Sequence, residues 1–114
     1  MTLIYKLVSR ADWDAANATG VFNGAEIDIA DGFIHFSTAE QVEETASKYF
    51  AGRTDLLLVA ADAAALGEAL KWETSRGGAL FPHLYAPLAL ESVARVDPLS
   101  IGSDGRHDFS RVLK

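Results

Sequence analysis

The feature that most constrains this chain is the stretch Asp55–Ala61, in which six apolar residues, Leu56–Ala61, follow one another without a polar interruption. A run of that length predicts a strand buried on both faces, with neighbours on either side. A chain of 114 residues can build one such core without staples, and has no room for two independent ones. It contains no cysteine, which excludes disulfides, thiolate metal sites and a cysteine nucleophile. The same apolar run is far too short to cross a bilayer, and the opening residues lack a signal-peptide layout. The expectation is a cytoplasmic protein with no membrane partner.

Short elements surround that strand. Leu3–Val8 is apolar and β-prone. Ser9 with Asp12 resembles a capping box, and Trp13, Ala16 and Gly20 then suit a short helix closed by glycine. Val21–Asp31 has no clear period and reads mostly as loop, with Phe33–Phe36 a second strand after it. Ser37 is expected to cap a helix with Glu40 reaching back; Val42, Ala46, Tyr49 and Phe50 form its apolar stripe and Gly52 closes it. Asp62 can cap the turn Ala63–Leu66, which Gly67 stops. Ala69–Glu73 predicts a strand, Thr74–Gly78 a flexible loop, Leu80–Tyr85 an extended segment and Leu90–Val96 a final strand. The pattern is α+β, with short helices and a split mixed or antiparallel sheet. Residues 1–99 read as a single domain and 100–114 as a polar, loosely held C-terminal tail.

Polar chemistry concentrates in Gly32–Thr38 and Glu73–Tyr85. On a strand Phe33, His35 and Ser37 share one face. An imidazole enclosed by aromatics and followed by hydroxyls at a helix start is a candidate small-ligand or anion site, because the helix end offers amides and a positive dipole. The plainer alternative is a half-buried His35 bonded to backbone, with Ser37 and Thr38 serving only as caps. Arg76, beside Gly77 and Gly78, can fork onto a phosphate or carboxylate, or else simply decorate a turn. His83 and Tyr85 share a face if their segment is extended, and Glu73 is either a polarising carboxylate or a surface residue. Lys6 shares an apolar face with Ile4 and Val8, so its ammonium either snorkels outward or enters a polar pocket. His107, in the tail, is given no role. Neither a nucleophile elbow, a phosphate loop, a dinucleotide fingerprint nor a zinc-helix motif occurs. Ser37 and His35 point in parallel and make an awkward nucleophile pair, and a zinc would need a carboxylate as third ligand, so no metal is expected. The net charge of −6 and scattered Lys and Arg argue against long nucleic acids, while leaving room for a small anionic ligand.

The same residues carry a resemblance. Ile4–Lys6, Gly32–Gln41, Leu70–Glu73 and Phe81–Tyr85 followed by Pro87 and Leu88 resemble, in order from Met1 to about Leu99, a bacterial family catalogued as domain of unknown function 952. That family is grouped by remote similarity with the ADP-ribosyltransferase fold, whose members handle NAD or ADP-ribosylated intermediates. The resemblance implies a split mixed sheet with a nucleotide cleft. It further implies a first-strand His or Arg on the ribose, a second-strand Tyr or Ser at the nicotinamide, and a later glutamate orienting the ribose. This chain departs from that pattern: Lys6 stands at the first-strand position, and Glu73 and Glu91 both compete for the glutamate.

Taken together, the expectation is a domain that binds NAD, ADP-ribose or a related phosphorylated nucleotide, with ADP-ribosyl transfer or hydrolysis as the accompanying chemistry. His35 and His83 are the candidate catalytic groups, and Lys6, Ser37, Thr38, Arg76 and Tyr85 the candidate ligand contacts. No cofactor is required, NAD entering as a substrate. The alternative is a non-enzymatic module that holds a small metabolite or a protein on the same concave face.

Overall fold

The structure is a computed structural model that describes residues 2–75 and 77–113. Strand β1 (Leu3–Ser9) leads into helix α1 (Arg10–Thr19), with Ser9 accepting the amide of Asp12 at 3.1 Å and Gly20 ending the helix in the left-handed region. After β2 (Val21–Phe22) come α2 (Glu26–Asp31), β3 (Ile34–His35) and α3 (Ala39–Tyr49). The apolar run forms β4 (Leu56–Asp62), and Asp62 then caps α4 (Ala63–Leu66). Strands β5 (Leu70–Ser75), β6 (Ala79–Leu84), β7 (Leu88–Ala89) and β8 (Val93–Pro98) complete the order.

Strand β4 lies between β1 and β8, as the unbroken apolar run predicts. Its alternate residues serve opposite faces. Leu57, Val59 and Ala61 pack with Ile4, Val8, Trp13, Phe22, Ile34 and Phe36, while Leu56, Leu58 and Ala60 pack with Tyr5, Leu7, Val42, Ala46 and Phe109. One strand thus feeds both halves of the core, so neither half stands alone.

A second sheet has the order β3-β6-β5, and β2 pairs with β7. Among the described residues every strand pair is antiparallel, which removes the mixed alternative. The two larger sheets meet at the segment after Gly32. Phe36 donates its amide to Pro82 of β6 at 3.0 Å, and one residue later Ser37 and Tyr5 of β1 exchange backbone bonds of 2.7 Å each. This is the split of the sheet.

Several expectations need correction. Val21–Asp31 is not mostly loop: it contains β2 and α2. The polarity of α2 is inverted, since Asp28 is buried while Ile27 and Ile29 are 62% and 67% exposed, so hydrophobic periodicity missed it. The cap of α3 is Thr38, whose amide is met by Gln41 Oε1 at 3.0 Å, one residue beyond the Ser37–Glu40 pair. Tyr49 is exposed and leaves the apolar stripe to Val42, Ala46 and the half-buried Phe50. Strand β5 runs on to Ser75, into the expected loop, and the final strand starts at Val93 after a turn at Leu90–Ser92. The segment after Pro98 is not loosely held. Leu99, Phe109 and Val112 are buried in the core, and His107 Nε2 lies 2.6 Å from the Arg53 carbonyl.

That last correction is testable by urea unfolding. Phe109→Ala should lower the unfolding free energy by about 3 kcal/mol, the usual cost of emptying a buried aromatic site. A loss below about 0.5 kcal/mol, typical of surface positions, would return the segment to a loose tail.

Candidate functional site

The register of the second sheet builds the site. His35 of β3 stands directly opposite His83 of β6, and His83 stands opposite Lys71 of β5. With side chains alternating, Phe33 and His35, Phe81, His83 and Tyr85, and Lys71 and Glu73 all rise from one face. The ring of Phe33 sits at the centre. It stacks on His83 at 4.1 Å and tilts against His35 at 4.6 Å and Tyr85 at 5.2 Å, while the two imidazoles meet edge-on at 5.7 Å.

Each imidazole is held by a carboxylate. On the outer side, Glu73 Oε1 lies 2.8 Å from His83 Nδ1 and accepts the Tyr85 hydroxyl at 2.7 Å. The Tyr85 bond first, then the His83 bond, lower the Glu73 pKa, and the same contact with Glu73 raises that of the Tyr85 phenol. A carboxylate at Nδ1 accepts a hydrogen bond, so in the neutral His83 ring the proton sits on Nδ1 and Nε2 is the acceptor. His83 itself is 5% exposed, so its protein contacts fix the ring.

The inner pair was not foreseen, because its centre is Asp28. This carboxylate is 1% exposed and draws donors from three elements. Lys6 Nζ of β1 reaches its two oxygens at 3.1 and 3.0 Å, and the Ala25 amide, at the start of α2, reaches it at 2.7 Å. His35 supplies both its amide at 3.1 Å and Nδ1 at 2.6 Å. Burial alone would raise the Asp28 pKa, but the His35 bond, the Lys6 charge and the backbone amides outweigh it and hold the group down to about 2. Burial lowers the Lys6 pKa, opposed by the charge of Asp28. The other nitrogen of His35, Nε2, lies 2.9 Å from Asp31 Oδ2.

The candidates named from sequence thus fall in different places. His35, His83 and Tyr85 come together, and Glu73 joins them. Lys6 enters a polar pocket rather than snorkelling, and it also donates to the His35 carbonyl at 3.0 Å, so its ammonium is spent inside the protein. Ser37 turns away: its hydroxyl lies 3.3 Å from that of Thr45, beside α3. Thr38 has its amide occupied by Gln41. Arg76 lies outside the described residues. Phe33 lies on the His35 face as the strand alternation predicts, and Asp31 joins Asp28 as a residue that sequence reasoning did not name. The only signal for the aspartates was their i, i+3 spacing, Asp28 to Asp31, which carries meaning only once α2 is known to be a helix.

A hollow of about 230 Å³ adjoins this face, lined by Asn23, Asp28, Ile29, Phe33, Leu84 and Tyr85 among others. A larger one, about 680 Å³, lies near the C-terminal segment, between Glu43 and Asp104, Arg106 and Asp108. Size favours the second and chemistry the first. The larger hollow holds His107, whose Nε2 is tied to a carbonyl, whereas the smaller is bordered by Phe33 and Tyr85 of the polar face, with neither imidazole in its wall. Among the described residues no group of three or more His, Asp or Glu is placed to hold a metal ion, and no helix is long and apolar enough to cross a membrane.

Residues 7–96 match the family described as "Protein of unknown function (DUF952)", and the chain belongs to that family. Among curated proteins none matches it. Its structure is similar to the crystal structure of protein CC0527 from Caulobacter crescentus, with a TM-score of 0.94 and 54% identity over 98% of each chain. It is also similar to the solution NMR structure of CC0527, with a TM-score of 0.88 and 53% identity over the whole of both chains.

The Asp28 network makes a stability prediction. Asp28→Ala strips the counter-charge from buried Lys6 and should cost about 3–5 kcal/mol in urea unfolding. Lys6→Met should cost less, because three N–H donors still reach Asp28. The pKa of Asp28 is depressed, so its contribution is complete above the ordinary value of 3.8 and disappears as pH falls from there through about 2. The stability gap between wild type and Asp28→Asn should close over that window, and a gap that persists through it would contradict the assignment.

Proposed function

We propose that the face formed by Phe33, His35, Glu73, His83 and Tyr85 binds NAD, ADP-ribose or a related phosphorylated nucleotide, in a cytoplasmic domain of ADP-ribosyltransferase-like design. The observation that carries this reading is the Glu73-held His83 stacked on Phe33 beside exposed Tyr85. It combines an aromatic shelf for a planar ring with an imidazole whose Nε2 is free to take a proton. In NAD hydrolysis, water attacks the ribose carbon that bears the nicotinamide and the glycosidic carbon–nitrogen bond breaks. Nicotinamide leaves with the bonding pair, and the water's proton passes to His83 Nε2. Glu73 stabilises the imidazolium that results, and Tyr85 holds Glu73 in place.

A second reading has its own support. Lys6, one of the candidate ligand contacts, is neutralised by Asp28. The adjoining hollow of about 230 Å³ also lies below the roughly 300–1,000 Å³ usual for ligand sites, which is small for a dinucleotide. Both facts suit a non-enzymatic module that holds a single-ring metabolite.

Thermal-shift titration with NAD, ADP-ribose, AMP and nicotinamide, run beside an assay of nicotinamide release, separates the two. The nucleotide reading expects stabilisation by NAD, about 2.7 kcal/mol at a hundredfold excess over Kd. It expects His83→Ala to slow release by about 10²–10⁴-fold and Glu73→Gln by at least about tenfold at unchanged Tm. Binding of nicotinamide without turnover selects the module, and no response to any ligand rejects both.

A further inference from the structure

His35 is the only imidazole among the described residues with a carboxylate at both ring nitrogens, and the two carboxylates differ in kind. Asp28, on Nδ1, is buried and fixed by donors from β1, α2 and β3. Asp31, on Nε2, is 45% exposed, and that contact is the one interaction the structure gives its side chain. It is the last residue of α2, where the helix dipole disfavours negative charge, and Gly32 follows it in the left-handed region with φ of 87°. Swinging Asp31 outward therefore breaks no buried bond. Releasing Asp28 would break them all.

The geometry points to His35 Nε2 as an anion-recognition point that the Asp31 carboxylate occupies in the free protein, so that a carboxylate or phosphate oxygen of the ligand binds by displacing Asp31. This rests on the reading that the Phe33 face is the binding face, and names the ligand chemistry at one point of it. A neutral imidazole has a single N–H, and Asp28 holds the one on Nδ1. A donor at Nε2 means an imidazolium, which binds an anionic oxygen more strongly than a neutral one. Among the described residues no other charged group contacts the ring: Lys6 bonds Asp28 and the main-chain carbonyl of His35, His83 of β6 meets the ring edge-on, and Phe33 tilts against it. The oxygen 2.9 Å from Nε2 thus marks where the ligand's own oxygen sits.

The test is a titration with inorganic phosphate, followed by NMR of the His35 ring nitrogens. Asp31→Ala should bind phosphate roughly three- to tenfold more tightly than wild type, the worth of freeing a half-exposed pair. The gain should vanish in Asp31→Ala/His35→Gln. Glu26→Ala removes a negative charge from the exposed far end of α2, and should change affinity by less than about twofold because that charge is screened. Equal affinity in wild type and Asp31→Ala, no phosphate binding to either, or the same gain from Glu26→Ala would overturn the inference. Repeating the titration with AMP and NAD separates it from the nucleotide reading. A phosphate gain to which the nucleoside adds nothing keeps the anion point and rejects the nucleotide. Tight NAD binding that is indifferent to Asp31 does the reverse.

Discussion

A carboxylate withdrawn from water is tolerated only where its charge is answered, and Asp28 is answered from every side. Lys6 brings the opposite charge from β1, Ala25 closes the first turn of α2, and His35 contributes two N–H groups from β3. The neighbouring backbone is shaped to the same end: a Cβ at Gly24 would stand 2.8 Å from the Asp28 Cβ, and the φ of Gly24 is 109°. Glycine is required there on both counts. Segments distant in sequence are thus tied at a single polar point, and the orientation of His35 follows from it.

The segment from Gly32 to Thr38 carries the second constraint. Its backbone pairs first with β6 and then with β1, so it is the hinge line between the two larger sheets. Its side chains divide accordingly. Ile34 and Phe36 go to the core, Phe33 and His35 to the polar face, and Ser37 to the base of α3. A strand shared between sheets cannot slip register without flipping its residues from core to surface. The same pairing that joins the sheets therefore fixes His35 against His83.

These constraints give the polar face an inner, rigid half and an outer, accessible one. Asp28 and Lys6 are buried and set geometry, whereas Glu73, Tyr85 and Asp31 are exposed enough to exchange partners with a ligand. The binding and proton transfer proposed for this face would call for that division, since both need a ring that does not wander.

The sequence by itself determined the central strand, because six apolar residues in succession have no other economical place in a small domain. It likewise settled α1 from Ser9 to Gly20 and the cap at Asp62, since those signals are local, and it gathered the two histidines into two short stretches. It did not reveal α2, whose polarity is inverted by Asp28, nor the burial of Phe109 in a segment of polar composition. Nor did it tell Lys6 from a snorkelling lysine, because the carboxylate that draws the ammonium inward lies 22 residues away. Only the tertiary structure decided which carboxylate meets which imidazole. Periodicity and capping report on neighbours along the chain, whereas an ion pair is a property of charges that the fold brings within hydrogen-bonding distance.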